Sequence, residues 1–292
     1  MSDIKTVGVI GAGQMGSGIA QTCASGGYQV ILHDVDVGQL EQAKAAIAQS
    51  LARRVEKGLA TQADADAALG RIRFEGDLAM MKEAQLVIEA ATEHEPTKKA
   101  VFAAVTPHLA EGAILASNTS SISITRLASA TDRPARFIGL HFMKPAPVMR
   151  LVEIIRGIAT DQATYDAAAA FAESLGKTVT DAEDFPAFIV NRILVPMINE
   201  AIYTLYEGVG TVQSIDTALK LGANHPMGPL ELADFMGLDT VLAIMNVLYD
   251  GLADSKYRPC PLLVKYVEAG WLGRKTGRGF YDYRGETPVP TR

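Results

Sequence analysis

Features that point to secreted, metal-binding or membrane proteins are scarce in this sequence. Only two of its 292 residues are cysteines, Cys23 and Cys260, and both stand outside any CxxC or Cys/His spacing. We therefore expect two free thiols in a reducing compartment, without a disulfide framework or a metal site. No apolar run approaches the roughly 20 residues of a membrane span, and the N-terminus shows no signal-peptide pattern. These absences predict a cytoplasmic protein that has no membrane partner.

An excess of positive charge is also missing. Lysine and arginine number 27 against 33 aspartates and glutamates, which gives a formal net charge of −6. Nucleic-acid binding through overall charge is therefore not expected. A content of 48% hydrophobic and 21% charged residues is typical of a soluble globular protein. The length is sufficient for two domains of ordinary size.

The pattern up to about residue 181 alternates short apolar, β-branched runs with segments of helical periodicity. We expect strands at Thr6–Ile10, Gln29–His33, Arg71–Glu75, Leu86–Glu89, Ala113–Ser117, Phe137–Leu140, Leu151–Ile155 and Thr178–Thr180. We expect helices at Gln14–Ser25, Val37–Lys57, Glu95–His108 and Gln162–Leu175. This alternation predicts a parallel sheet with helices on both faces.

The pattern becomes helical after residue 184. An apolar run begins near Ile189 and contains Pro196, which should kink the helix. Further helices are predicted at Val212–Leu221, Pro229–Tyr249 and Pro261–Ala269, with breaks at Gly208, Gly222, Gly228 and Gly251. No strand is needed before the Phe280–Tyr283 tail. The fold class is therefore α/β, with a dinucleotide-binding type of domain at 1–184 and an all-helical domain at 185–292.

A glycine-rich segment, Gly11-Ala12-Gly13-Gln14-Met15-Gly16, matches the pattern GxGxxG. Alone it is a weak signal, because glycine is common in turns. Here it follows the first expected strand directly and opens an apolar-periodic helix. The first glycine permits the tight turn, the second lets a pyrophosphate approach the backbone, and the third allows close packing of helix and strand. In this setting the segment predicts a Rossmann-type fold.

Asp34 ends the second expected strand, 18 residues after Gly16. A carboxylate at this point accepts the ribose hydroxyls of adenosine and repels a 2′-phosphate, and no arginine follows immediately. The glycines and Asp34 together therefore predict NAD rather than NADP as the cofactor. A glycine turn followed by a solvated aspartate is the alternative. It does not explain why a strand, the glycines, a helix and Asp34 occur together in the order and spacing of a dinucleotide-binding segment.

His141 is the best candidate for the base that alcohol oxidation requires. It follows the apolar run Phe137–Leu140, so it lies at the end of a strand, where open α/β sheets bind ligands. Glu153 lies in the next apolar run, and a buried carboxylate needs a partner. The sequence predicts a His141–Glu153 dyad and leaves open a purely structural ion pair. The remaining histidines have neighbours typical of packed, surface or turn positions: His33, His94, His108 and His225.

Two polar groups are candidates for contacts with the reacting oxygen. The polar run Ser117–Ser121 follows a strand, although a solvated loop or a helix cap is the more common explanation of such a run. Asn191 lies in the first turns of the apolar helix of the second domain, where an amide needs a partner. We expect it to project toward the cleft between the domains.

Seven stretches of the chain, in order, carry a resemblance to a known family. They are 9–20 around the glycines, 117–121, 139–143, 147–153, 188–193, 226–234 and 272–281. With these stretches the chain resembles the short-chain L-3-hydroxyacyl-CoA dehydrogenases, and in particular the bacterial 3-hydroxybutyryl-CoA dehydrogenases. The resemblance implies reversible, NAD-dependent oxidation of an (S)-3-hydroxyacyl-CoA to a 3-oxoacyl-CoA. The apolar second domain of this chain also predicts a dimer interface, and therefore a homodimer.

The resemblance assigns roles to individual residues. His141 is implied as the general base paired with Glu153, while Ser120 and Asn191 are implied to hydrogen-bond the 3-oxygen and the thioester region. The implied NAD contacts are Gly11, Gly13, Gln14, Met15, Gly16, Asp34, Ala91, Glu93, Lys98, Asn118 and Lys275. The implied contacts with CoA are Arg53, Arg54, Lys57, Ser120 and Asn191.

Several alternatives stay open at this point. The basic patch at Arg53, Arg54 and Lys57 is also consistent with a solvated helix face. The family usually has an asparagine where this chain has Lys144, a change that bears on contacts near the base and not on the base itself. A preference for 3-hydroxyadipyl-CoA, a related enzyme acting on a hydroxy acid without CoA, and a binding protein without activity are the competing hypotheses. No residue selects an acyl chain length or a pathway.

Overall fold

The computed structural model describes residues 4–292 and divides into two compact units. The first unit ends at Phe185, and the second comprises Pro186–Arg292. The boundary predicted from the sequence, between residues 184 and 185, lies one residue before this division.

The first unit is an eight-stranded sheet covered by helices. Its strands are β1 Thr6–Ile10, β2 Gln29–His33, β3 Ile72–Glu75, β4 Leu86–Glu89, β5 Ile114–Ser117, β6 Phe137–Phe142, β7 Leu151–Arg156 and β8 Thr178–Glu183. Its helices are α1 Gln14–Ser25, α2 Val37–Glu56, α3 Gln62–Gly70, α4 Glu95–Val105, α5 Ile124–Ala128 and α6 Gln162–Ser174. The strand order is β3-β2-β1-β4-β5-β6-β7-β8, which confirms the Rossmann-type prediction.

One strand pair departs from the predicted parallel sheet. The strands β1 to β6 pair in parallel with one another, whereas β7 runs antiparallel to β6 and parallel to β8. The connection between these two strands, residues 143–150, is shorter than the dozen or so residues that a parallel crossover needs. This hairpin-like return places residues of β6 directly opposite residues of β7.

The long helix α2 shows how the sheet is covered. Its apolar stripe, Leu40, Ala43, Ile47 and Leu51, is buried against the core, and Val55 packs at the edge of that core. The helix predicted at Val37–Lys57 is therefore confirmed, and one apolar face of it covers the sheet.

The neighbouring helix α3 was missed by the sequence prediction. It begins at a capping box made by Thr61 and Asp64. Only its small residues Ala65 and Ala68 are buried, so its apolar periodicity is faint.

The second unit is helical except for a short hairpin near the end of the chain. Its elements are α7 Val190–Tyr206, α8 Val212–Gly222, α9 Pro229–Met236, α10 Leu238–Leu252, α11 Pro261–Glu268, β9 Tyr281–Asp282 and β10 Val289–Pro290. Pro196 lies inside α7, which remains a single helix. The core of this unit is an apolar cluster that α7, α9, α10 and α11 surround.

The predicted helix Pro229–Tyr249 is wrong in one respect. Gly237, with a φ of +99°, separates α9 from α10, and the two helices meet at 97°. Gly251, which was expected to break a helix, lies within α10. A glycine ends a helix where the chain needs a positive φ, and the sequence does not reveal which of several glycines is placed so.

Among residues 4–292, no single helix has the length and apolar character of a membrane span. The pair α9 and α10 reaches that length only when both are counted together across their bend. Cys23 and Cys260 are both buried and both free, as predicted.

Candidate active site

The three glycines between β1 and α1 have different structural roles. Gly11 has a φ of +100°, and a Cβ added there would lie 2.8 Å from the carbonyl oxygen of Ala90. A Cβ at Gly16 would lie 1.7 Å from the carbonyl oxygen of Gly11. A Cβ at Gly13 would meet nothing within 4 Å. Gly11 and Gly16 are therefore required by the packing of the protein itself, whereas Gly13 borders open space.

A cleft of about 510 Å³ lies over this turn. Its lining includes Gly11, Gly13, Gln14, Met15, Asp34, Asp36, Gln39, Ala90, Ala91 and Thr92. The N-terminus of α1 has no side-chain cap, so its first amide groups remain available to an anion. Bare backbone at Gly13, an uncapped helix start and a carboxylate at Asp34 fit a dinucleotide with a pyrophosphate and a ribose.

The Asp34 carboxylate is held in place by backbone amides. Ala12 N donates to its Oδ2 at 2.8 Å, and Asp36 N donates to its Oδ1 at 3.0 Å. These two bonds orient the carboxylate at the end of β2, on the edge of the cleft. The side chain is only partly buried, so its oxygens can also accept hydroxyl donors.

A second, mostly apolar cavity of about 380 Å³ adjoins Gly11 and Asp34. Val35, Leu78, Val101 and Ala104 line it, and its apolar walls suit a flat aromatic ring such as a purine. None of these four residues is among those predicted from the sequence. One sequence signal was available, because Val35 is an apolar residue in a turn directly after Asp34. In the structure Val35 is 91% exposed.

His141 and Glu153 are direct partners across the antiparallel pair β6 and β7. Nδ1 of His141 lies 2.7 Å from Oε2 of Glu153. The histidine is 7% exposed and the carboxylate is fully buried. The structure thus brings the predicted dyad together, and the reason is the short return between the strands.

The end of β5 is tied both to β6 and to Glu93. Asn118 Oδ1 accepts a hydrogen bond from the backbone amide of Phe142, which follows His141 directly, at 2.9 Å. Glu93 Oε1 accepts bonds from the amides of Ser120 and Ser121, at 2.9 and 3.1 Å, and from both of their hydroxyls at 3.1 Å. The predicted residues Glu93, Asn118 and Ser120 therefore belong to one hydrogen-bonded region beside the dyad.

The charge of Glu93 is stabilised by its surroundings. Partial desolvation raises the pKa of Glu93, but Lys98 and the hydrogen bonds from Thr119 and Ser120 lower it by more, so the net pKa lies below the ordinary value. The Glu93 side chain is 39% exposed. It is therefore an ionised acceptor that gathers the loop Thr119–Ser121.

Lys98 occupies a different position from the one its predicted role suggests. It is 1% exposed, and its Nζ donates to both oxygens of Glu89, at 2.8 and 2.9 Å. The same nitrogen lies 3.5 Å from Glu93 Oε2. A direct contact between Lys98 and NAD remains a prediction, since the structure shows Lys98 beneath Glu93. Glu89 is not among the residues predicted from the sequence.

The other predicted residues belong to other elements of the chain. Asn191 is buried in the first turn of α7, and Lys275 pairs with Asp239 at 2.6 Å, both within the second unit. Arg53 and Lys57 are exposed at the end of α2. Lys144, where the family has asparagine, is exposed in the connection between β6 and β7. The roles implied for these residues remain predictions.

The first unit therefore combines two features: a dinucleotide-type cleft at the start of α1 and a buried His–Glu pair at the carboxyl end of β6. Together they define an oxidoreductase of the NAD-dependent dehydrogenase class.

Comparison with known proteins narrows this class. Residues 6–185 match the family model described as 3-hydroxyacyl-CoA dehydrogenase, NAD binding domain, and residues 188–283 match the C-terminal domain of the same family. The chain therefore belongs to the 3-hydroxyacyl-CoA dehydrogenase family.

Named relatives cover nearly the whole chain. It is 64% identical over 289 residues to 3-hydroxybutyryl-CoA dehydrogenase of Bradyrhizobium diazoefficiens, with 99% of each chain covered. It is 42% identical to the human mitochondrial hydroxyacyl-coenzyme A dehydrogenase, with 96% of this chain and 92% of the relative covered. The crystal structure of (S)-3-hydroxybutyryl-CoA dehydrogenase from Ralstonia eutropha matches with a TM-score of 0.94 and 49% identity, covering 97% and 100% of the two chains.

Proposed function

We propose that this protein oxidises (S)-3-hydroxyacyl-CoA thioesters of the 3-hydroxybutyryl type to 3-oxoacyl-CoA, reversibly and with NAD. The observation that carries the proposal is the 2.7 Å contact between His141 and the fully buried Glu153 at the end of β6. The substrate class is supported by the names of the relatives, which are 3-hydroxybutyryl-CoA dehydrogenases.

His141 acts as the base in the oxidation direction. When Nδ1 carries a hydrogen, it donates that hydrogen to Glu153, so the ring's second nitrogen, Nε2, carries the lone pair. Nε2 takes the proton of the C3 hydroxyl while the C3 hydride departs with its electron pair and the carbonyl forms. Bound NAD+ supplies the acceptor of that hydride. The buried Glu153 carboxylate then stabilises the protonated ring, and in the reverse direction the ring returns the proton.

Ser120 and Asn191 orient the substrate in this proposal. The Ser120 hydroxyl lies in a loop that Glu93 holds through backbone and hydroxyl donors, so its position is set before the substrate binds. We assign Ser120 to the 3-oxygen and Asn191 to the thioester region. The Ser120 hydroxyl has one hydrogen, which it donates to Glu93 in the unbound protein, so this hydrogen must turn to the 3-oxygen when the substrate binds, while the backbone amide of Ser120 still holds the loop on Glu93. A donor that turns by rotation of its own hydroxyl costs little reorganisation when charge develops on the oxygen.

The first prediction tests the substrate class. With NADH, the purified protein should reduce acetoacetyl-CoA, because the reacting centre is that of a 3-oxoacyl thioester. Initial rates at 340 nm with acetoacetyl-CoA, 3-oxohexanoyl-CoA and 3-oxoadipyl-CoA give the chain-length preference. NADPH serves as the cofactor control and should be a poor substitute, since Asp34 repels a 2′-phosphate. Turnover of a free 3-hydroxy acid without turnover of any thioester would contradict the proposal.

The CoA moiety is proposed to bind beside the end of α2. Arg53 and Lys57 are exposed there, and Arg54 lines a polar cleft of about 360 Å³ together with Gln21, Thr22 and Lys177. No carboxylate occurs among the residues that line this cleft. Cations without a local counter-charge favour the phosphates of a nucleotide.

The second prediction concerns this basic patch. Replacing Arg53 and Lys57 with alanine should raise KM for acetoacetyl-CoA about tenfold, as expected for two exposed charge pairs of up to about 1 kcal/mol each. KM for NADH and KM for S-acetoacetyl-pantetheine, which lacks the nucleotide, should stay unchanged. Arg73→Ala, which removes an exposed cation paired with Glu83 in the same unit, is the matched control. Equal effects on the KM values of NADH and the thioester would refute the assignment.

We further propose that the protein is a cytoplasmic homodimer formed through the second unit. Several large apolar side chains of this unit are exposed, among them Ile193 at 68%, Val209 at 75% and Leu221 at 82%. Such surface favours burial against another protein, and two copies of one chain most often form a twofold dimer. The free thiols Cys23 and Cys260 are consistent with a reducing compartment.

A further inference from the structure

Beneath the loop Thr119–Ser121 lies a carboxylate that the proposed mechanism does not use. Glu89 ends β4 and is fully buried. Besides the two bonds from Lys98, it accepts bonds from Ser117 Oγ at 2.7 Å and from Ala91 N at 2.8 Å. Ser117 ends β5, Ala91 follows β4, and Lys98 lies on α4. One carboxylate thus joins three segments at the carboxyl edge of the sheet.

The contacts continue from Glu89 to the loop. Lys98 connects Glu89 to Glu93, whose Oε2 lies 3.5 Å from the same Nζ. The other oxygen of Glu93 accepts the donors of the loop, including Thr119 Oγ1 at 2.6 Å. The order of contacts is therefore Glu89, Lys98, Glu93 and the loop that carries Ser120.

We propose that Glu89 is a positioning residue, which fixes Lys98 and through it holds Glu93 and the Ser120 loop in the arrangement needed for hydride transfer. This inference rests on the proposed function, because the role of Ser120 belongs to that proposal.

The charges explain why Glu89 is needed. A buried ammonium is strongly destabilising without a carboxylate and further hydrogen bonds. Glu89 supplies two oxygens at short distance, whereas Glu93 offers one oxygen at a longer distance. Without the charge of Glu89, Lys98 is expected to move toward Glu93, its remaining carboxylate. That shift draws Glu93 away from the amides of Ser120 and Ser121.

The test compares Glu89→Gln with Glu89→Gln/Lys98→Met. Glu89→Gln is expected to lower kcat for acetoacetyl-CoA about 10- to 100-fold, by analogy with the loss seen when a residue that orients a metal-binding side chain is replaced. It should also speed amide hydrogen exchange at Ser120 and Ser121, which donate to Glu93. The double variant leaves no buried charge unpaired, so its thermal stability should recover. Its kcat should stay low and amide exchange at Ser120 and Ser121 should stay fast, because the variant has no ammonium at position 98 to contact Glu93.

The control and the contrary outcomes separate positioning from stability. Ile72→Ala, on the outermost strand β3, removes buried apolar volume from the same unit. It should lower the thermal midpoint without altering kcat or exchange at Ser120 and Ser121. Recovery of kcat in the double variant, or unchanged exchange in Glu89→Gln, would overturn the proposal. The exchange measurement needs no substrate, so it remains decisive if the wild-type protein fails to turn over acyl-CoA.

Discussion

Replacing His141 with glutamine is expected to lower kcat for acetoacetyl-CoA reduction about a thousandfold, within the range typical for removal of a general acid or base. Glutamine retains polarity and approximate size but cannot exchange a proton near neutral pH. KM for the thioester should change little, because the substrate's nucleotide is bound elsewhere in the proposed arrangement. Steady-state rates with NADH, measured at several thioester concentrations, separate the two parameters.

The partner residue and an exposed histidine provide the controls. Glu153→Gln should lower kcat by about 100-fold, because an amide can still accept from Nδ1 but carries no charge to stabilise the protonated ring. His108→Gln alters an exposed histidine after α4 and should leave both parameters unchanged. Undiminished turnover by His141→Gln would remove this histidine from the mechanism and leave the identity of the base open.

The dyad was predictable because both residues lie in one local pattern. His141 and Glu153 are in consecutive apolar runs joined by a proline-containing connection, and strands so close in the chain return on each other as neighbours. The antiparallel direction follows from the same short connection. The predicted sheet nevertheless had all its strands parallel, because the alternation of strands and helices dominates the pattern elsewhere.

The buried ion pair of Lys98 and Glu89, below the loop Thr119–Ser121, was not predictable in the same way. Lys98 is 1% exposed, and its main partner, Glu89, lies on a different element. A sequence pattern indicates that a charge is costly inside an apolar run, but it does not indicate which distant residue compensates for it. The resemblance assigns Lys98 to NAD, and that contact stays a prediction; the structure adds that Nζ of Lys98 donates to Glu89 and lies 3.5 Å from Glu93 Oε2.

Gly13, the N-cap residue of α1, and Gly16, within α1, lead to the second large prediction, in which neighbouring substitutions separate cofactor binding from folding. Gly13→Ala should leave the free energy of unfolding nearly unchanged, because its φ of −67° suits alanine and nothing lies within 4 Å of the new methyl. The dissociation constant for NADH should rise about 10- to 100-fold, because a methyl at the open backbone collides with the pyrophosphate. We expect this collision to weaken the binding free energy by roughly 1–3 kcal/mol. Fluorescence titration with NADH measures this constant directly.

Gly16→Ala should instead lower the free energy of unfolding. Its methyl would lie 1.7 Å from the carbonyl oxygen of Gly11, so α1 must move away from the turn after β1. Overpacking of this kind costs about 3 kcal/mol of unfolding free energy, measured by urea denaturation, and NADH binding weakens because the helix start moves with it. Gly112→Ala, where nothing lies within 4 Å, is the control and should affect neither quantity.

Tight NADH binding by Gly13→Ala would show that the cofactor does not approach the backbone there. The cleft over α1 would then lose its assignment to the pyrophosphate, while the role of His141 would stand unaffected.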